Sequence, residues 1–138
     1  MNSFKLKIQK FGALFLVDID IWDLKEQAYR IASLVIDTGA SVTTISKNVL
    51  LNLGYDTSNA SSVRVTTVSR TEYFEKINIA KIKLGNFELE NIEVHAHDFP
   101  HENYFYGLLG LNVLTRFDVN FLFSQNLLEL TPRNNILK

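Results

Sequence analysis

The 138-residue chain is 46% hydrophobic and 21% charged, which excludes a wholly disordered chain and suits one compact domain. Its 14 Lys and Arg against 15 Asp and Glu give a formal net charge of −1, which excludes a nucleic-acid binder driven by basic excess. The sequence contains no cysteine, so disulfide staples, thiolate nucleophiles and Cys-ligated metal centres are excluded as well.

Taken in chain order, the signals are mostly those of strands. Phe4 to Ile8 alternates apolar and polar residues with period two. Its lysines are interleaved with the apolar residues, so it does not read as a secretory leader. The next apolar stretch, Phe11 to Ile21, is interrupted by Asp18 and Asp20 and is too short to span a bilayer. A soluble cytoplasmic protein without a membrane partner is expected. Leu14 to Trp22 reads as a strand, Asp23 to Glu26 as a connection, and Tyr29 to Ile36 as a third strand. The third strand ends in the apolar triplet Leu34-Val35-Ile36, which indicates burial on both faces.

Val42 to Ile45 resumes extended structure, and Ser46 is placed to cap a short helix through Leu53 that stops at Gly54. Thr57 to Ser62 is a polar loop. From Val63 to Ala96 the pattern is strands, with breaks near Ser69-Arg70 and at Gly85-Asn86. Asp98 to Asn103 forms a polar loop, and Leu111 to Phe117 a short helix. Strands Val119 to Phe123 and Leu127 to Leu130 flank a turn at Ser124-Gln125-Asn126, with less order expected over Pro132 to Lys138. Many short strands with one or two short helices indicate a closed or folded-over all-β domain covering 1–138.

The chemistry concentrates at Asp37-Thr38-Gly39-Ala40, directly after the apolar triplet. A carboxylate there stands at the end of a buried strand, on a turn where Gly39 lets backbone approach closely. Thr38 supplies a hydroxyl that both donates and accepts. One carboxylate polarises water weakly. Two that share a proton perform acid–base hydrolysis, one activating water while the other protonates a carbonyl. A bare Asp-Thr-Gly also suits an ordinary turn between strands.

Three features in order go further. They are Leu34-Val35-Ile36-Asp37-Thr38-Gly39-Ala40-Ser41, the hairpin-rich middle, and Leu108-Leu109-Gly110-Leu111-Asn112-Val113-Leu114-Thr115. On these residues the chain resembles the retroviral-type, or retropepsin-like, aspartic proteases and their bacterial single-domain relatives. The resemblance runs over most of the chain and implies a closed, folded-over β-barrel with its core at about residues 11–131.

The resemblance also implies an aspartic endopeptidase that acts on a peptide or protein and needs no metal or cofactor. In that family each chain contributes one aspartate at a two-fold axis. This chain has one Asp-Thr-Gly, and Asp56-Thr57-Ser58 lacks the glycine, so a homodimer is implied. Asp37 would be the catalytic carboxylate, Thr38 a brace across the dimer, and Gly39 the residue that holds the carboxylates coplanar. Leu108, Leu109 and Gly110 would support the loop. Ala40, with Val68, Ser69 and Arg70 from the hairpin tip, would contact substrate. Two carboxylates about 3 Å apart repel by roughly 5 kcal/mol at an effective dielectric of about 20, so such a pair holds one proton between them.

The hairpin departs from the family pattern, because residues 64–74 contain no glycine. That departure supports an alternative, a non-catalytic peptide-binding or dimerisation module on the same fold. His95, His97 and His101, with Asp98 and Glu102, form the one candidate metal cluster. A solvated strand end and loop is the preferred reading there, so no metal is expected. Asn103 to Tyr106 is read as aromatic core packing.

Overall fold

The computed structural model describes residues 2–58, 61–66, 68–98 and 105–134. In chain order these form β1 (Phe4–Lys7), β2 (Gln9–Phe11), β3 (Leu14–Asp23), β4 (Ala28–Ile36), β5 (Thr44–Ser46) and α1 (Lys47–Asn52). Then come β6 (Ser61–Thr66), β7 (Thr71–Leu84), β8 (Phe87–His97) and β9 (Gly107–Leu109). The last elements are α2 (Leu111–Leu114), β10 (Phe117–Leu122), a 3-10 turn (Phe123–Gln125) and β11 (Leu127–Pro132). The longest of these helices has six residues, and none is long and apolar enough to cross a membrane.

Eight strands form one sheet in the order β2-β3-β4-β9-β5-β8-β7-β6. A further pairing of β3 with β7, through Asp20↔Lys83 and Ile21↔Ile82, folds the sheet over and closes it into a barrel-like ring. The period-two pattern decides what points inward. Val17, Ile19 and Ile21 of β3, Leu34 of β4, Ile77 and Ile79 of β7 and Val94 of β8 are all buried. Each fully buried aliphatic side chain contributes about 1.5–3 kcal/mol by leaving water. A second sheet, β1-β11-β10, packs Leu6, Leu128 and Leu130 into the same core. The expected all-β class, folded over on itself with two short helices, is the observed one.

Several local expectations need correction. The expected strand from Phe4 to Ile8 is β1, one residue shorter; it pairs with β11, whereas β2, which follows it, pairs with β3. The switch falls at Ile8, whose N–H donates to the Asn126 carbonyl at 2.8 Å. Strand β3 runs one residue beyond Trp22, because the buried Asp23 carboxylate accepts from the N–H groups of Lys25 (2.9 Å) and Glu26 (3.0 Å) and so shapes the turn itself. Ser46 makes no side-chain cap, since it ends β5 and its Oγ is buried with no hydrogen-bond partner among the described residues. The second helix stops at Leu114, and Phe117 already belongs to β10, where its ring packs edge-on against Phe4 and Phe87. Pro132 is buried in β11, and the Arg133 N–H donates to the Arg116 carbonyl at 3.0 Å. Order therefore extends past the expected limit, while 135–138 lie outside the described residues.

The Gly85-Asn86 turn joins β7 to β8 as expected, with Leu84↔Phe87 as its closing pair and Gly85 at φ +60. The β6–β7 hairpin is present too, turning between Thr66 and Thr71.

Candidate active site

Strand β9 is inserted between β4 and β5, two strands that are neighbours in sequence. It runs parallel to β4 (Val35↔Leu108, Ile36↔Leu109) and antiparallel to β5 (Thr44↔Leu108, Ile45↔Gly107). Residues 37–43 must therefore pass around the end of β9 to reach β5. That detour is the Asp37-Thr38-Gly39-Ala40 loop. The insertion is tight. A Cβ on Gly107 would run into the Thr44 carbonyl oxygen, which explains the glycine in the middle strand.

Backbone hydrogen bonds staple the loop to the β9–α2 segment. The Asp37 N–H donates to the Leu109 carbonyl at 3.0 Å. Leu111 N–H donates to the Ala40 carbonyl at 2.8 Å, and Asn112 N–H to the Ser41 carbonyl at 3.1 Å. Gly110 makes the close approach possible, because a Cβ there would lie 2.8 Å from the Ala40 carbonyl oxygen and 2.9 Å from the Thr43 nitrogen. Leu109 and Gly110 are buried and Leu108 is half-buried. The structure thus brings Leu109 and Gly110 directly against the loop, while Leu108 pairs with Val35 and Thr44 on the strands that flank it.

Within the loop, Asp37 is half-buried and its Oδ1 accepts from the Gly39 N–H at 2.9 Å. This bond fixes the carboxylate's orientation from inside the motif. Thr38 and Gly39 are exposed, and Ala40 is half-buried. The Thr38 hydroxyl makes no side-chain hydrogen bond among the described residues. Beside it lies a groove of about 420 Å³ lined by Thr38, Leu111, Leu114, Phe117, Val119 and Phe121, among others.

Two residues the sequence did not single out hold this arrangement from behind. Asn112 Oδ1 accepts from both the N–H and the Oγ1 of Thr43, each at 2.8 Å. Its Nδ2 donates to the Glu93 carbonyl at 2.7 Å, tying the loop's foundation to β8. The Thr43 hydroxyl in turn accepts from the Gly110 N–H at 3.0 Å. The available signal was a lone asparagine among Leu111, Val113 and Leu114, where helix packing alone would favour another apolar residue.

Val68, Ser69 and Arg70 are at the exposed turn of the β6–β7 hairpin. Val68 is fully exposed, and Arg70 forms an ion pair with Glu72 two residues on.

The remaining candidates resolve into structure. Asp56 Oδ1 accepts from the Ser58 N–H (2.8 Å) and Oγ (2.6 Å), a polar turn that holds the carboxyl below its ordinary range. His95 is buried, not solvated as expected, and burial pushes its imidazole below the usual histidine value. Both His95 and His97 pack against the Phe74 ring, at 5.7 and 4.6 Å between centroids. Among the described residues no group of three or more His, Asp or Glu is placed to hold a metal ion. His101 and Glu102 lie outside the described residues. Tyr106 is 43% exposed and so is not core packing. Instead its backbone bridges β4 and β5, donating to the Ser33 carbonyl and accepting from the Ser46 N–H, both at 2.8 Å. Asn103 and Tyr104 are outside the described residues.

Comparison with known proteins agrees with this geometry. A family model described as "gag-polyprotein putative aspartyl protease" matches residues 29–116, a span that holds the Asp37 loop, the hairpin and the β9–α2 segment. Among solved structures, a retropepsin-like aspartic protease from Rickettsia conorii superposes with a TM-score of 0.65. That match has 20% identity and covers 94% of this chain and 89% of the other. No curated protein matches by sequence.

Proposed function

The chain belongs to the retropepsin-like aspartyl protease family, and from that premise we propose that it is a homodimeric aspartic endopeptidase. The observation that carries this reading is the stapled loop, which holds one half-buried carboxylate, Asp37, in a fixed orientation at the end of a core strand. One such carboxylate is half of a hydrolytic pair. A second copy across a two-fold axis supplies the other half, and the exposed Thr38 hydroxyl is available to brace the two loops.

In this mechanism the two Asp37 carboxylates hold a water and one proton between them. The ionised carboxylate takes a proton from the water as its oxygen attacks the scissile carbonyl carbon. The protonated one gives its proton to the carbonyl oxygen, so the tetrahedral intermediate forms without a free oxyanion. Collapse then breaks the C–N bond, and a proton returns to the departing amine. Gly39 keeps the carboxylate in the plane that both transfers need. An extended peptide would lie along the loop by strand addition, contacting Ala40 from below and Val68, Ser69 and Arg70 of the hairpin, acting as a flap, from above.

The second reading, a peptide-binding module without cleavage, draws on the glycine-free hairpin turn, where Arg70 pairs with Glu72. Incubating a mixed peptide library with wild type and with Asp37→Asn separates the two. The protease reading expects cleavage by wild type alone, with the variant folded and dimeric by sedimentation. Binding by both proteins and cleavage by neither, in dimeric samples, would replace it with the module.

A further inference from the structure

The β6–β7 hairpin leaves the sheet at a definable residue. In β7, residues 71–74 pair with β6 only, whereas Glu75 pairs with Ser62 of β6 on one side and Ala96 of β8 on the other. Beyond Glu75 the hairpin is thus a two-stranded ribbon, an arrangement with little stability of its own. Its direction is set near its base, where the Phe74 ring also packs against His95 and His97 of β8.

Glu75 is gripped there. Its Oε1 accepts from Lys47 Nζ at 2.6 Å, and both side chains are about one-third exposed, at 31% and 35%. Its Oε2 is buried and has no hydrogen-bond partner among the described residues, so the carboxylate depends on this lysine. The bond and charge of Glu75 hold Lys47 above its ordinary range, and Asp98 adds to the effect.

Lys47 is the first residue of α1 and follows β5 directly. Strand β5 pairs with β9, which carries the Leu109 carbonyl that receives the Asp37 N–H. One ion pair therefore connects the base of the ribbon to the framework of the Asp37 loop, across 28 residues of sequence.

We propose that Lys47 and Glu75 form a positioning latch that sets the angle of the β6–β7 ribbon relative to the Asp37 loop, and through it the admission of peptide. The admission half rests on the protease reading; the latch itself does not. Neither residue touches the reacting atoms.

Amide hydrogen exchange on the full chain tests the latch without reference to activity or oligomeric state. Glu75→Gln keeps the shape and removes the charge. It should speed exchange in residues 61–66 and 71–74 by about tenfold, as expected for loss of one charge-assisted hydrogen bond. Lys47→Met should speed it further, to about thirtyfold, because it strands the Glu75 carboxylate. The swapped pair Lys47→Glu/Glu75→Lys should return the ribbon to within about twofold of wild type, with β3–β4 unchanged throughout. Unchanged ribbon exchange, or equal acceleration in β3–β4, would overturn the latch.

In the peptidase assay, the single variants should raise KM about tenfold and leave kcat within about twofold. A fall in kcat at constant KM would overturn the admission role. A wild type that cleaves nothing would defeat the protease reading, and the exchange data would still decide the latch.

Discussion

Asn112→Ala removes the polar residue behind the Asp37 loop, and its cost follows from three hydrogen bonds. The side chain accepts from the N–H and hydroxyl of Thr43 and donates to the Glu93 carbonyl. Thr43 is 1% exposed, so its N–H cannot turn to water. The hydroxyl can rotate and keeps its bond from the Gly110 N–H, so it loses least. Two backbone groups, the Thr43 N–H and the Glu93 carbonyl, are left unpaired, at about 1–3 kcal/mol each. Some backbone relaxation brings the expected loss to roughly 3 kcal/mol. For a chain of this length, that lowers the melting temperature by roughly 10 °C. Calorimetry or a urea titration measures the loss directly. A double-mutant cycle with Thr43→Val should show coupling of about 1 kcal/mol or more, because the two side chains share a bond. A fall in melting temperature of under about 2 °C, or additive effects in the cycle, would refute the claim that Asn112 anchors the loop.

Other expectations are equally concrete. Gly110→Ala forces a Cβ to within 2.8 Å of the Ala40 carbonyl oxygen, so the loop must move. The expected loss is about 1–3 kcal/mol by thermal denaturation, and cleavage should fall by more than the melting shift explains, since the displaced backbone carries Asp37. Gly107→Ala meets the Thr44 carbonyl with no room to yield and should give no soluble folded protein on expression. Acid sensitivity should have two stages. Burial keeps His95 neutral in the fold, with Glu93 opposing that effect and Lys76 adding to it. The unfolded chain therefore binds an extra proton below about pH 6.5, so the His95 contribution is complete above that pH and lost as pH falls through the lowered folded value. A urea midpoint that declines from pH 7.5 to 5 in wild type should stay flat in that window in His95→Gln. Asp23 acts lower down: the N–H groups of Glu26 and Lys25, with Arg30, hold it below 3.8 against the opposing effect of burial. Its contribution is present above about pH 3.8 and disappears as the carboxyl protonates, which Asp23→Asn should abolish in an acid titration.

How much of this was legible in the sequence depends on the range of the interaction. Local pattern marks β1 by period-two alternation, β3 by an apolar run that ends in alternation, β4 by its apolar triplet, and β7 and β8 by strand-like residues on either side of a turn signal, because burial and turning are written residue by residue. Gly85-Asn86 announced its turn for the same local reason. The Asp37 loop was legible as a motif together with its neighbour, Leu108-Leu109-Gly110. Boundaries failed where a distant partner decides them. β1 stops at Lys7, and the N–H of the next residue, Ile8, goes to the Asn126 carbonyl far along the chain. Phe117 leaves the helical pattern for β10 because Phe4 and Phe87 receive its ring. Ser46 has the residue type of a helix cap, yet its pairing with His97 of β8 and its N–H bond to the Tyr106 carbonyl claim its backbone first.

The same logic explains why Thr43, Asn112, Lys47 and Glu75 were passed over. Each is unremarkable beside its sequence neighbours, and each acquires its role from a partner more than 25 residues away. A catalytic motif advertises itself because its chemistry demands particular residues in a row. The framework that aims the motif has no such demand, since any polar pair that spans the gap will serve. Rigidity at Asp37 therefore comes mostly from outside Asp-Thr-Gly. Within the motif, one bond from the Gly39 N–H orients the carboxylate, while β9, α2 and the Asn112 side chain fix where the whole loop stands. It follows that substitutions behind the loop should separate two properties that substitutions within it cannot. Asn112→Ala should move the carboxylate and leave its chemistry intact, so a larger share of its activity loss should be recovered by cooling or by a tight-binding peptide than for any change at Asp37 itself.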